Sequence, residues 1–353
     1  MNGTRVLSRE EATGAGRPKV TPSGLLEAAA WVAVLATMLG FANGQGWFPE
    51  LASHFRAQYA VVLGVAATTF AFRRSWLRTA VFAAGLAGNA LLILPLYLPF
   101  SRGDRSSDAG GSELTVLLAN LHADNDTFEP FLEYVREAAP DVIAAMEVTP
   151  DWDRALDDIR RDYPYGTVQT RTDNFGVAVL SKKPLSGLAV KHFGDAYLPS
   201  VVGTYRTASG PVTLVLTHPL PPATPEFLAL RNGQLDEVAD AVSRHGRCLI
   251  VMGDLNMTSW SDQFQEFLAR TGLRDTRKGF GVQPTWPTWL PPMLITLDHV
   301  LAGDCIETME RETGPDIGSD HYPVKVRFRV DEAQGESLVL DDTTSHRQPR
   351  GSP

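Results

Sequence analysis

Polar side chains with catalytic chemistry follow apolar runs at six places in the chain. They are Asn120 after LTVLLA, Glu147 after VIAAM, His218 after VTLVLT, Asp254 and Asn256 in GDLN, Asp298 in LDH, and Asp320 with His321 in SDH. Carboxylate and amide oxygens are ligands for hard divalent cations, and imidazole exchanges protons near neutral pH. The set therefore predicts metal-assisted acid–base chemistry.

Each residue alone has a structural explanation. An Asn that ends a strand is commonly a turn former, and a carboxylate beside an imidazole is compatible with a surface turn. The GDLN stretch is more specific, because Asp254 and Asn256 are two residues apart and address the same space beyond a strand end. Gly253 permits close approach of backbone or ligand.

The elements that must position these residues alternate between strand and helix patterns, which predicts an α/β domain. Strands are expected at 114–121, 142–148, 175–181, 212–218, 248–254, 296–302 and 324–330. Helices are expected at 127–139, 150–161, 224–244 and 261–271. Five of the polar residues then lie at strand ends, where α/β folds carry their chemistry.

Three apolar runs, 24–42, 57–72 and 79–100, precede this domain. A bilayer core about 30 Å thick needs about 20 apolar residues in a helix, and the second run, with 16, needs a thin bilayer. Glu27 is the single charge in the three runs. A buried helical core is the alternative, but three runs so close together favour three transmembrane helices.

The basic residues predict the orientation of these helices. They cluster before the first run (Arg5, Arg9, Arg17, Lys19) and between the second and third (Arg73, Arg74, Arg78). Both clusters should face the cytoplasm, which makes the protein a multi-pass cell-membrane protein with an extracytoplasmic domain. A cleaved signal peptide in place of the first helix would leave that domain on the same side.

The predicted organisation has five parts. They are a cytoplasmic segment (1–23), a three-helix anchor (24–100), a Gly/Ser-rich linker (101–112), the catalytic domain (113–330) and a disordered tail (331–353).

Charge is distributed unevenly between these parts. Residues 1–112 contain ten Lys and Arg against six Asp and Glu, a net charge of +4. The whole chain has 32 Lys and Arg and 41 Asp and Glu, so residues 113–353 contain 22 against 35, a net charge of −13. Such an acidic domain is a poor match for tight, non-specific nucleic-acid binding. The acidic charge does not exclude an enzyme whose bound metal ions contact the phosphate, because the ions supply positive charge locally.

The chain contains, in this order, Asn120, Glu147, His218, GDLN, LDH and SDH-x-P-V. This ordered set resembles the motifs of the endonuclease/exonuclease/phosphatase superfamily. That group includes deoxyribonuclease I, apurinic endonucleases, neutral sphingomyelinases and inositol-polyphosphate phosphatases. The resemblance covers 113–330, and the preceding helices resemble a membrane-anchored bacterial branch. It implies a four-layer α/β/β/α sandwich of two mostly antiparallel sheets.

The resemblance also implies a Mg²⁺ (or Mn²⁺) site. Glu147 corresponds to the principal ligand, Asn120 to a supporting residue and Asp320 to a metal-side carboxylate. The pattern departs at His122, where some nuclease members have Asp. The first metal shell is therefore expected to differ, which argues against a DNA-repair role.

The catalytic residues follow from the same resemblance. Asp254 is expected to position the nucleophile, Asn256 to contact phosphate, and Asp298 to orient His321. His218 corresponds to a histidine of nuclease and sphingomyelinase members. Either Asp254 or the Asp298–His321 pair could be the general base.

The sequence thus predicts a membrane-anchored, metal-dependent phosphodiesterase or phosphatase. The first option for its substrate is nucleic acid, which makes it nuclease-like. The second is a lipid headgroup phosphoester at the bilayer, and a third possibility is a catalytically silent binding domain. No protein partner is predicted.

For three other features we expect a purely structural role. The loop 285–292 (TWPTWLPP) should pack on the core, with a substrate lip or a bilayer contact as the alternative. Arg231 and Gln234 should lie on a solvated helix face. Cys248 and Cys305 should be free thiols, with an inter-strand disulfide as the alternative; two cysteines exclude a disulfide scaffold and a four-cysteine zinc site.

Overall fold

The structure, a computed structural model, describes residues 21–98, 111–244 and 247–331. The N-terminal segment, the linker and the tail that the sequence predicts lie almost entirely outside the described residues.

Two six-stranded sheets form the body of the domain. The first contains β1 (Gly111–Asn120), β2 (Val142–Met146), β3 (Tyr165–Gln169), β4 (Val177–Ser181), β11 (Ile306–Thr313) and β12 (Val324–Asp331). The second contains β5 (Leu185–Phe193), β6 (Leu198–Thr207), β7 (Gly210–Thr217), β8 (Leu249–Asp254), β9 (Arg274–Asp275) and β10 (Asp298–Ala302).

Both sheets are mixed but mostly antiparallel. Their strand orders are β11-β12-β1-β2-β4-β3 and β5-β6-β7-β8-β10-β9. Among the described strands, β1–β2 and β7–β8 pair in parallel and the other pairs are antiparallel. Each parallel pair sits near the middle of its sheet, where helices cover the crossover.

Alternation along the strands separates three hydrophobic layers. In β1, Leu114, Val116 and Leu118 point into the core between the sheets, whereas Leu117 and Ala119 point outward. The outward side of the first sheet packs against α5 (Glu129–Ala138) and α6 (Pro150–Leu156), and that of the second against α7 (Pro225–Val242) and α8 (Asp262–Thr271). The four-layer α/β/β/α sandwich is confirmed.

The segment that the sequence predicts to be a membrane anchor, called the anchor below, contains α1 (Pro22–Gly40), α2 (Trp47–Ser53), α3 (Arg56–Phe72) and α4 (Trp76–Ile93). Among the described residues, two helices are long and apolar enough to cross a membrane, Pro22–Gly40 and Trp76–Leu96, the latter being α4 with its 3-10 extension. The remaining predicted span, the second apolar run (57–72), corresponds to α3. It meets the length criterion only together with α2, from which it is bent by 65°.

The helix ends of the anchor pack directly on the sandwich domain. The Nε1 of Trp47 donates to the Pro222 carbonyl at 2.6 Å, and Asn43 Oδ1 accepts from the Asp262 amide at 2.6 Å. From the end of α4, the Leu92 carbonyl accepts from Trp260 Nε1 at 3.3 Å. The loop after α1 and the end of α4 therefore contact the same domain.

The two cysteines correct the thiol prediction. Cys248 and Cys305 form a disulfide that joins the start of β8 to the residue before β11. The residues are 57 positions apart in the chain, and only the packing of the sheets brings their Cα atoms within 5.2 Å.

Candidate active site

Strand register brings the predicted site residues to one edge of the two sheets. Asn120, the last residue of β1, pairs with Met146 of β2, and Glu147 follows directly. In the second sheet, Asp254 at the end of β8 pairs with Asp298 at the start of β10. The strand-final positions that the sequence singles out therefore meet at the same edge.

Asn120 connects the two sheets at this edge. Its Nδ2 donates to Glu147 Oε1 at 3.0 Å and to Asp254 Oδ2 at 3.3 Å. Its Oδ1 accepts from the His122 amide at 3.1 Å, and the Ala123 amide donates to Glu147 Oε2 at 2.9 Å. The buried amide thus fixes both carboxylates.

Asp298, His321 and Asp254 form a buried chain. His321 Nδ1 donates to Asp298 Oδ2 at 2.8 Å, and its Nε2 lies 3.6 Å from Asp254 Oδ2. One ligand-type atom from each residue lies within 4.8 Å of the others. Asp298 therefore sets the orientation of the ring, and Nε2 faces the open side of the site.

Among these three residues, charge interactions and burial shift the pKa values in opposite directions. Burial alone would lower the pKa of His321, but the carboxylates of Asp298, Asp254 and Asp320 outweigh it and raise the pKa to about 10. Burial likewise favours a higher pKa for Asp298, yet the charge and hydrogen bond of His321 hold the pKa below its usual value.

Asp254 behaves differently from Asp298. Burial raises its pKa to about 6, although His321 and the hydrogen bonds from Asn256 and Asn120 act in the opposite direction. A carboxylate with a raised pKa is a stronger proton acceptor than an exposed one, and it remains ionised near pH 7. The two aspartates are therefore suited to different tasks.

His218 and Asn256 lie next to Asp254. His218 Nε2 is 3.7 Å from Asp254 Oδ2, while burial lowers the pKa of this imidazole and its Nδ1 has no hydrogen-bond partner. The Asn256 amide donates to Asp254 Oδ1 at 2.9 Å, and its side chain donates to the Pro219 carbonyl at 3.0 Å.

Gly253 makes room for this arrangement. A Cβ at this position would lie 1.8 Å from the Thr217 carbonyl oxygen. The close approach that the sequence indicated is thus between the ends of two neighbouring strands.

Asp320 lies at the open side of the site. His122 Nδ1 is 3.2 Å from Asp320 Oδ1 and 3.9 Å from Glu147 Oε2, so the imidazole stands between the two carboxylates. The side chain of Asp320 is 27% exposed, whereas those of Asp254, Asp298 and His321 are at most 5% exposed. Access to the site is therefore from the side of Asp320.

The donor set fits a divalent cation. Glu147 and Asp320 offer carboxylate oxygens, and Asp320 Oδ1 is buried without a hydrogen bond, with His122 Nδ1 3.2 Å away. Unpaired buried carboxylate oxygens are costly unless a cation or a proton meets them. Hard cations such as Mg²⁺ and Mn²⁺ match oxygen ligands.

The contacts of three supporting residues with the site were not predicted from the sequence. Trp286 Nε1 donates to Asp320 Oδ2 at 3.0 Å, and the Thr285 hydroxyl accepts from the Asp298 amide at 3.3 Å. Ser319 donates to the Asn120 carbonyl at 2.8 Å. None lies in a periodic pattern, so the only sequence signal for Ser319 is its place in SDH.

The prediction of a solvated face for Arg231 and Gln234 is wrong. Both side chains are buried, because Arg231 packs against the loop after β8 and against Glu50 of α2, and Gln234 packs against the end of β7. Arg231 Nη1 donates to the Asn256 carbonyl at 3.0 Å, and Gln234 Nε2 donates to the Thr217 hydroxyl at 3.0 Å. They support the loops on which Asn256 and His218 lie.

Comparison with known proteins agrees with the fold described above and with the family resemblance of the sequence. The model of the endonuclease/exonuclease/phosphatase family matches residues 117–321. Similar solved structures include an endonuclease/exonuclease/phosphatase from Beutenbergia cavernae DSM 12333, at 19% identity and a TM-score of 0.51, covering 62% of this chain and 72% of that one. The human Nocturnin catalytic domain shows 17% identity and a TM-score of 0.51, with 62% and 95% covered.

A third similar structure is D. rerio TDP2 complexed with single strand DNA product, at 16% identity and a TM-score of 0.50, with 62% and 99% covered. At these identities the similarity is one of fold. No curated protein matches the chain.

Proposed function

The chain belongs to the endonuclease/exonuclease/phosphatase family, and from this premise we propose that it is a membrane-anchored hydrolase of phosphoester bonds that requires a divalent cation. One observation carries the proposal: Asn120 joins Glu147 to Asp254, which faces the Asp298–His321 pair, at a single edge of the sandwich. Family members are usually phosphoester hydrolases, and this arrangement contains the groups that such chemistry needs.

Glu147 and Asp320, with Asn120 supporting them, would hold the cation. A bound Mg²⁺ or Mn²⁺ would polarise a phosphoryl oxygen and offset negative charge. The carboxylate of Asp254 accepts a proton from the attacking water as the water oxygen bonds to phosphorus, and the ester oxygen leaves with the electron pair of the broken P–O bond. The imidazolium of His321 stabilises charge on the phosphoryl group, and Asp298 maintains its protonation at both nitrogens.

Several observations support anchoring with the domain on the outer side. Three crossings by α1, α3 and α4 would place the loop after α1 and the end of α4 on one side, and both contact the catalytic domain. Arg78 pairs with Glu27 at 2.8 Å near the opposite helix ends, where positive charge favours the cytoplasm. The Cys248–Cys305 disulfide is typical of oxidising, extracytoplasmic compartments.

The test uses the full chain purified in detergent. Hydrolysis of bis-p-nitrophenyl phosphate is measured with Mg²⁺ or Mn²⁺, then with EDTA, and the wild type should lose activity on chelation. His321→Ala and Asp254→Ala should each lower kcat by at least about a hundredfold. The exposed residues His192 and Asp162 provide the matched controls His192→Ala and Asp162→Ala, which should retain activity. Near-normal hydrolysis by both site variants would contradict the proposed function.

A further inference from the structure

An uncharged segment of the catalytic domain exposes large apolar side chains. Residues 279–297 contain no Asp, Glu, Lys or Arg. Within it, Trp289 is 69% exposed, and Leu290 and Met293 are each 38% exposed, separated by two exposed prolines. We call residues 289–293 the apolar loop. A contiguous apolar surface of this kind marks a site of contact with a partner or a membrane.

The ends of two anchor helices hold the segment that contains the apolar loop. On one side, the Leu96 carbonyl at the end of the α4 extension accepts from the amides of Gly279 and Gly281, at 2.8 and 2.9 Å. On the other side, Gln58 in the first turn of α3 donates to the Leu294 carbonyl at 2.7 Å. With α3 and α4 in a bilayer, the apolar loop lies at the level where these helices leave it.

The same segment borders the opening of the active site. Trp286 Nε1 donates to Asp320 Oδ2 at 3.0 Å, and the Thr288 amide donates to the Asp320 carbonyl at 3.0 Å. The Thr288 hydroxyl also donates to the Ser319 carbonyl, at 2.9 Å. Asp320 is the partly exposed residue of the site, so its open side is continuous with a surface fixed next to the membrane.

We propose that the substrate is a phosphoester of a membrane phospholipid, and that the apolar loop enters the bilayer surface beside the opening of the site. The proposal rests on the proposed function and names the substrate class of that site. The headgroup phosphate reaches Asp254 and His321 from the side of Asp320 while the acyl chains stay in the bilayer.

Physical chemistry favours a phospholipid over nucleic acid as the substrate. Trp289 has the amphipathic ring that accumulates at membrane interfaces, and the anchor raises the local concentration of a lipid substrate. A polyanionic strand would have to approach a domain whose residues 113–330 contain 20 Lys and Arg against 30 Asp and Glu, a net −10, along a segment (279–297) without Lys or Arg.

The first test measures insertion independently of activity. The full chain is reconstituted into vesicles of phosphatidylcholine and phosphatidylglycerol, part of which carry brominated acyl chains that quench tryptophan fluorescence on contact. Quenching should be smaller in Trp289→Phe than in the wild type, because the variant lacks the quenched fluorescence of Trp289. Equal quenching, with Trp289 instead accessible to aqueous acrylamide, would overturn the proposal.

The second test separates the substrate class from the chemistry. The triple variant Trp289→Ser, Leu290→Ser, Met293→Ser is compared with wild type on the same unbrominated vesicles, on bis-p-nitrophenyl phosphate and on plasmid DNA. Vesicle hydrolysis should fall by about tenfold or more, because apolar burial at the interface is lost, while the rate on the soluble diester stays within about twofold. Tyr165→Ser, which removes an exposed aromatic side chain at the opposite end of the first sheet, should change neither rate.

Each result has a distinct meaning. Hydrolysis of the soluble diester without cleavage of vesicle lipid, or faster cleavage of DNA than of lipid, would overturn the substrate class alone. An equal loss on vesicles and soluble diester in the triple variant would also overturn it. Failure of the wild type on every substrate would contradict the proposed function itself.

Discussion

Glu50 of α2 and Arg231 of α7 form a buried ion pair between the anchor and the catalytic domain, with Oε1 and Nη2 2.9 Å apart. Ser261 also donates to Glu50 Oε1 at 2.8 Å. Because Nη1 of the same guanidinium donates to the Asn256 carbonyl, a side chain of the anchor is two contacts away from the active-site loop.

Breaking this pair should destabilise the protein strongly. Glu50→Ala leaves the Arg231 charge buried without its partner, which costs about 3–5 kcal/mol of unfolding free energy. The double variant Glu50→Leu, Arg231→Leu removes both charges and should recover part of that loss. Denaturant unfolding in detergent measures both.

The matched control is Asp151→Ala, which breaks an exposed ion pair with Arg154 and should cost less than about 1 kcal/mol. An equally small effect of Glu50→Ala would show that the buried pair does not hold the anchor to the domain.

The active site should give a bell-shaped pH profile. Asp254 must be ionised to accept a proton, so kcat/KM for the soluble diester should rise with pH through about 6. His321 must be protonated, so activity should fall as pH rises through about 10. In Asp298→Asn the attraction that raises the His321 pKa is lost, and the alkaline limb should shift to lower pH. An unchanged alkaline limb in that variant would rule out His321 as its origin.

A second buried ion pair should contribute to stability in a pH-dependent way. Burial alone would raise the pKa of Asp275, but Arg277, whose Nη2 is 2.7 Å away, holds it well below its usual range. The stabilisation is therefore fully present above the unfolded-state pKa of about 4 and is lost as pH falls. Asp275→Asn should lower the unfolding free energy by about 3–5 kcal/mol at neutral pH and by less in acid. A loss that does not change with pH would contradict this assignment.

The disulfide should be detectable and stabilising. Cys248→Ser combined with Cys305→Ser should lower the unfolding free energy by about 2–4 kcal/mol, because the bond restricts a long loop of the unfolded chain. Alkylation followed by mass spectrometry should label the wild type only after reduction. Labelling of the unreduced, denatured wild type at both positions would show free thiols instead.

The sequence by itself determined the family, the α/β class and the strands that carry the chemistry. Strand-final residues such as Asn120 and Asp254 follow buried apolar runs, and such runs leave a clear local pattern. The five strands that were not predicted include β3, β5, β9 and β11, which form the four edges of the two sheets. Edge strands face solvent and need no apolar run, so they leave a weaker pattern. In the fifth, β6, the apolar pattern of the sequence is interrupted by Pro199, Ser200 and Gly203, although the strand is continuous.

Only the tertiary structure decided which distant residues meet. Arg231 is polar on a helix with a mixed pattern, and its burial depends on Glu50, which lies 181 residues earlier. Likewise Trp286 contacts Asp320, which lies 34 residues later in the chain beyond β10 and β11, and Cys248 meets Cys305 only when the sheets pack. Local patterns report the burial of a segment, whereas pairing of polar groups depends on how the segments pack in space.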